Sequence, residues 1–115
     1  MNQEKIIKIL RTNVRVFNRW RKIYNNSVDL QGADLQWANL RWANLDFSCL
    51  SLSYKSLLMN TDEKIRVQIA FHWASLVKHT ETATDEEKAL YNAMLNYVNR
   101  FHRTMNDVNV LPILK

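Results

Sequence analysis

The chain has 115 residues, with one Gly, one Pro, one Cys and a formal net charge of +5. A lone cysteine excludes an internal disulfide and a cysteine-based metal site, and a single glycine excludes the Gly-rich loops that cradle phosphates. The length fits one domain, 1–115. No apolar run approaches the roughly 18 residues of a membrane span, and no signal-peptide block precedes the first charged residues, so the expected location is cytoplasmic.

Residues 1–27 are expected to form a basic amphipathic helix with its turn. Over 3–24, Ile6, Ile7, Leu10, Val14, Phe17, Trp20 and Tyr24 fall on one side at 100° per residue. Lys5, Lys8, Arg11, Arg15, Arg19 and Lys22 fall on the other. Arg21 breaks the pattern by lying among the apolar residues. Residues 1–24 hold seven basic residues against Glu4, a net +6. Residues 25–60 carry −1, and residues 61–115 balance seven basic against seven acidic residues. The stripe is a solvated helix face or a surface for an anionic partner, nucleic acid included.

Residues 28–57 repeat every five positions. Leu30, Leu35, Leu40, Leu45 and Leu50 form one series, and Val28, Ala33, Ala38, Ala43 and Ser48 precede them by two. A helix would scatter residues five apart around its axis, and a straight strand would alternate their sides. Short extended pieces joined by bends keep both series inward and wind a coil. Trp37, Trp42, Phe47 and Leu52 occupy the last position of successive units, with Arg41 beside Trp42. Either the helical segments cover these aromatic groups or they form a protein-binding surface of the kind where Trp and Arg are enriched.

The units A-D-L-Q-W, A-N-L-R-W and A-N-L-D-F resemble the A(D/N)LXX unit of pentapeptide-repeat proteins. The Phe17–Arg21 and Val28–Leu30 stretches are similar to the lead-in that often precedes such repeats. The resemblance implies a right-handed, four-sided β-helix with four units per turn, here about one to one and a half turns, ending where Lys55 replaces the inward leucine, and it places the last residue of each unit, Trp37, Trp42, Phe47 and Leu52, outward. Some members of that family are long acidic rods that imitate DNA and bind DNA gyrase, a role that ranks low for a short basic chain.

Residues 58–115 read as a helical hairpin with an apolar tail. Asn60 with Glu63 and Thr84 with Glu87 have capping-box spacing. Ile65, Ile69, Trp73 and Leu76 line one side of the first helix, with Val67 and Phe71 on a second side. Leu90, Met94, Val98, Phe101 and Met105 line the second helix. Residues 108–114 form a tail docked on the body. The fold class is therefore α+β: a short coil capped by the N-terminal helix and by the C-terminal helical pair.

No catalytic constellation is visible. His72, His79 and His102 lack ligand spacing, and Cys49 has no adjacent base. The reading is a non-enzymatic protein-binding module needing no metal, cofactor or small-molecule substrate. A phage or mobile-element inhibitor of a bacterial defence or nucleic-acid enzyme complex, anti-CRISPR-like, is its concrete form. The partner is a protein or a second copy of the chain. The alternative is a nucleic-acid-binding protein that uses the basic N-terminal helix.

Overall fold

The computed structural model describes residues 2–23, 28–102 and 110–115. Tyr24, the turn expected at 25–27, Met105 and the first two tail residues lie outside them. The fold is mixed α and β, with a single two-stranded sheet among the described residues. The chain divides into two compact units, Met1–Asp62 and Glu63–Lys115.

The first unit opens with two helices where the sequence predicts one. Helix α1 spans Gln3–Thr12, and α2 spans Val14–Ile23. Asn2 caps α1 by accepting from the Lys5 amide at 2.9 Å. Asn13 breaks the run: its backbone is extended at φ −154°, and its side-chain oxygen accepts from the Val16 amide at 3.2 Å. A short polar side chain that can replace a backbone acceptor competes with helix continuation. The predicted apolar side survives the break. Leu10 and Phe17 are buried, and Ile6, Ile7, Val14 and Trp20 are partly buried.

Residues 28–50 bend every five residues. The amides of Ala33, Ala38, Ala43 and Ser48 donate to the carbonyls of Leu30, Leu35, Leu40 and Leu45 at 3.0–3.1 Å. The third residue of each turn has positive φ: Gly32, Trp37, Trp42 and Phe47. That combination is the type II turn. A second interaction recurs at the same interval. The side chains of Asp29, Asp34, Asn39 and Asn44 accept from the amide two residues on, at 2.9–3.3 Å. This Asx turn holds each bend through a contact local in sequence.

Four bends bring the chain back onto itself. Strand β1, Val28–Leu30, pairs in parallel with β2, Ser48–Leu50, and Val28 faces Ser48. The register is 20 residues, or four units of five. Val28, Leu30, Ala33, Leu35, Ala38, Leu40, Ala43 and Leu45 are all buried, so both predicted series face inward. A second pass runs further than predicted. Lys55 does not end it: its carbonyl accepts from Leu35 at 2.8 Å, and its ammonium donates to the Gly32 carbonyl. The Leu58 carbonyl then accepts from Trp37, and Asn60 pairs with Asn39. The register there is 21, and the extra residue accompanies a 3-10 turn at Tyr54–Ser56.

Helices α1 and α2 supply partners for backbone groups of the first pass. Gln3 donates to the Asp29 and Gln31 carbonyls, and Arg11 to those of Asp34 and Gln36. Asn18 donates to the Trp42 carbonyl and accepts from the Asn44 amide at 2.7 Å. Arg21 donates to the Asp46 carbonyl. Backbone groups removed from water require such partners. The anomaly at Arg21 in the apolar pattern is thereby explained: its side chain is buried so that it can reach the repeat. Burial pulls its pKa below the ordinary arginine value, and the Asp46 carboxylate opposes that shift.

In the second unit, α3 spans Glu63–Lys78, α4 Asp85–Ala93 and α5 Leu95–Val98. The predicted side of α3 is corrected. Ala74 and Val77 join a core with Tyr91, Val98 and Leu111, and Phe71 packs against it at 4.7 Å from the Phe101 ring. Val67 is buried too. Ile69 and Leu76, on the side predicted to be the main apolar one, are 46% and 70% exposed. Helix α4 ends at the C-cap Met94, whose amide is shared among the carbonyls of Leu90, Tyr91 and Asn92; within α4 Tyr91 is buried and Leu90 exposed. Thr84 and Glu87 form the predicted capping box. Asn60 does not cap α3; its backbone pairs with Ala38 and Leu40.

The tail docks on two asparagines. Asn99 exchanges two hydrogen bonds with Leu111, and Asn92 two with Leu114. The Tyr91 hydroxyl donates to the Pro112 carbonyl at 2.8 Å, and burial pushes its pKa up.

Two outcomes follow from this architecture. Leu40→Ala removes a fully buried side chain from the repeat and should cost about 2–5 kcal/mol, whereas Leu52→Ala should stay within about 0.5 kcal/mol; urea denaturation of both variants checks this. The Thr84 backbone and hydroxyl hold the Glu87 carboxyl below its usual range. Its stabilising effect is therefore present above that range and is lost as pH falls through the lowered value. Amide exchange at the start of α4 should accelerate on acidification in the native chain and lose that step in Glu87→Gln.

Candidate interaction surface

The outward residues of the repeat sit at its most constrained backbone positions. Trp37, Trp42 and Phe47 have φ of 62°, 71° and 61°. For a bulky L-residue this region is an outlier and costs roughly 1–2 kcal/mol. Gly32 holds the same turn position without that cost, and a Cβ there would meet nothing within 4 Å. The turn therefore accepts glycine and has room for a side chain.

The tryptophan backbones are held by hydrogen bonds, Trp37 through its amide and Trp42 through both its amide and its carbonyl. The Trp37 amide donates to the Leu58 carbonyl at 3.0 Å. The Trp42 amide donates to the Asp62 carboxylate, and its carbonyl accepts from Asn18 at 2.8 Å. Over-determination of this kind is what lets a strained conformation persist. The side chains repay little of the strain through burial, since Trp37 is 75% and Trp42 79% exposed. Phe47 is also exposed. Helices α1 and α2, which pack on the repeat, leave these side chains exposed.

Arg41 precedes Trp42 in the same turn. It is exposed, and its Nε donates to the Asn39 side chain at 3.1 Å, which fixes the guanidinium beside the indole's backbone. Leu52 is fully exposed but leaves the series, because its φ is not positive. The next left-handed residue is Leu58, φ 63° and exposed, stacked through its carbonyl on Trp37. Sequence reasoning missed Leu58 because the repeat frame slips by one residue after Leu50. The surface therefore comprises Trp37, Arg41, Trp42 and Phe47, with Leu58 in place of Leu52.

The basic residues separate into two groups. Lys5, Lys8, Arg15, Arg19 and Lys22 are exposed. Arg11 is turned onto carbonyls of the repeat. The break at Asn13 divides the predicted stripe into a row on α1 and a row on α2.

The second unit carries a groove of about 370 Å³ lined by Arg66, Ile69, Ala70, Trp73, Leu90 and Met94. Ile69, Trp73, Leu90 and Met94 belong to the apolar helix sides that the sequence predicts. His72 directs Nδ1 at the Gln68 carbonyl, 2.8 Å away, and its ring meets Phe101 edge-on. Cys49 is exposed between Ser48 and Leu50, as the alternation predicts. Among the described residues no cluster of three or more His, Cys, Asp or Glu could hold a metal ion, and no helix is long and apolar enough to cross a membrane.

A family model described as pentapeptide repeats (8 copies) matches residues 26–53. No curated protein and no solved structure gives a significant match to the chain.

Strain at the turn makes a specific prediction. Trp42→Gly should leave stability unchanged or raise it, because glycine adopts positive φ freely. Trp42→Val should lower it by roughly 1 kcal/mol, because a β-branched residue tolerates that region worst. Chemical denaturation of the two variants against the parent chain distinguishes these outcomes.

Proposed function

From a chain whose residues 26–53 are pentapeptide repeats, we propose a non-enzymatic protein-binding module whose repeat segment is a short four-sided β-helix. The 20-residue register and the four hydrogen-bonded bends between β1 and β2 support that geometry. The observation that carries the binding role is the pair of clamped, strained and exposed tryptophans, Trp37 and Trp42. Residues held in costly backbone conformations concentrate at functional sites, and Trp with Arg dominates the energetics of interfaces.

Successive units occupy successive sides of a four-sided coil. A flat partner therefore meets two adjacent corners at once, not all three aromatic corners. Trp37 and Trp42, with Arg41 between them, form the pair that combines two indoles with a cation. The concrete form proposed is an inhibitor of a bacterial defence or nucleic-acid enzyme complex, anti-CRISPR-like. Such a target offers a protein surface for the indoles beside nucleic acid for the cations of α1 and α2.

Affinity capture from a bacterial lysate, read by mass spectrometry, tests the proposal with the parent chain and a Trp37→Gly/Trp42→Gly variant as baits. The variant should lose the partner by a factor of at least about 30, equivalent to one hot-spot residue of about 2 kcal/mol. Equal recovery by both baits would remove the indoles from the interface. Sedimentation of the two proteins separates a second copy of the chain from a foreign partner: only self-association gives a mass that falls on substitution.

A further inference from the structure

We infer that the outward faces of α1 and α2 form a phosphate-binding surface for duplex nucleic acid, separate from the aromatic corners. The two helices divide their side chains between two tasks. Leu10, Phe17 and Arg21 are buried, and Gln3, Arg11 and Asn18 bond to the repeat backbone. These contacts fix both helices, so the faces that carry the outward cations are held in place.

Five cations remain outward. Lys5 and Lys8 are three apart on α1; Arg15, Arg19 and Lys22 are four and three apart on α2. Those spacings place each set on one helix face. All five are exposed, and none of their side chains has a hydrogen bond or ion pair among the described residues. The only acidic residue of the two helices is Glu4. Like charges at these spacings oppose helix formation, so folding gives no reason for the rows. The second unit differs: its helices mix both signs, and Arg100 pairs with Glu63.

The partner's chemistry follows from what accompanies the cations. A membrane surface calls for an apolar face beside the basic one. Here that face is turned into the repeat, and Val16 and Ile23 are the only exposed large apolar groups of the two helices. A duplex presents one negative charge per roughly 1.7 Å of axis and requires only cations. No base-reading motif accompanies the rows, so binding is to the backbone and independent of sequence.

Fluorescence anisotropy of a fluorescein-labelled 20-bp DNA duplex, titrated with the full chain across 50–200 mM NaCl, tests this. Five phosphate contacts give a log–log salt slope of about −4.5, a loss of roughly 500-fold over that range. Lys8→Gln/Arg15→Gln/Arg19→Gln should flatten the slope to about −2, with the circular-dichroism melt unchanged because all three residues are exposed. The Trp37→Gly/Trp42→Gly variant should bind the duplex like the parent, so the protein-binding reading and this one fail independently. Absence of binding at 50 mM NaCl, an unchanged slope in the triple variant, or binding only to phosphatidylserine vesicles would overturn the inference.

Discussion

The first unit depends on one local device, a corner that closes within five residues. An Asp or Asn side chain accepts from the amide two positions on, and a leucine carbonyl accepts from the small residue three positions on. The third residue of each turn takes positive φ. Each corner turns the chain by one side and sends a small residue and a leucine inward. Without it, an Ala-Leu pair every five residues would have no common face on a helix or on a straight strand. With it, four units return the backbone to pairing distance, and the 20-residue register between β1 and β2 follows.

So short a winding has little depth, and its backbone groups need partners beyond the repeat itself. The N-terminal helices supply them residue by residue. Gln3, Arg11, Asn18 and Arg21 reach carbonyls at Asp29, Asp34, Trp42 and Asp46, one in each of four successive five-residue units. A buried arginine is costly unless it finds hydrogen-bond partners, and Arg21 donates to the Asp46 carbonyl of the repeat. The second pass, through Lys55, Leu58 and Asn60, does the corresponding work for the amides of Leu35, Trp37 and Leu40. The break at Asn13 belongs to the same arrangement, since each of the two helices contributes two of the four residues.

Two chemically distinct surfaces arise from this construction. The corner position points out of the coil, so whatever side chain stands there is displayed; at Trp37 and Trp42 the displayed group is an indole. The helices that cover the repeat turn their apolar and carbonyl-binding side chains toward it, and their remaining lysines and arginines face away. Display of apolar groups and display of charge are thus both consequences of covering a small coil, and they fall on different elements.

The repeat was legible from the sequence because its interactions span five residues or fewer. The inward Ala and Leu series and the Thr84–Glu87 box are local and follow from spacing, whereas the outward direction of the tryptophans follows from the resemblance. The break at Asn13 was not legible, because an asparagine is compatible with an exposed helix position until its side chain finds the Val16 amide. Helix α3 is apolar on two sides, so periodicity alone chose Ile69 and Leu76, and packing against Tyr91 and Val98 chose Ala74 and Val77. The slip after Leu50 exchanged Leu52 for Leu58, because register is set by pairing with a rung 20 or 21 residues away. Asn92 and Asn99 gave no sign of holding the tail, and Arg21 was recorded only as an anomaly. Sequence alone therefore determined where the chain bends and which side chains a bend turns inward, since those are decided by neighbours along the chain. Tertiary structure decided which of two apolar faces is buried, which arginines are structural and which leucine stands over Trp37, because those depend on groups distant in sequence.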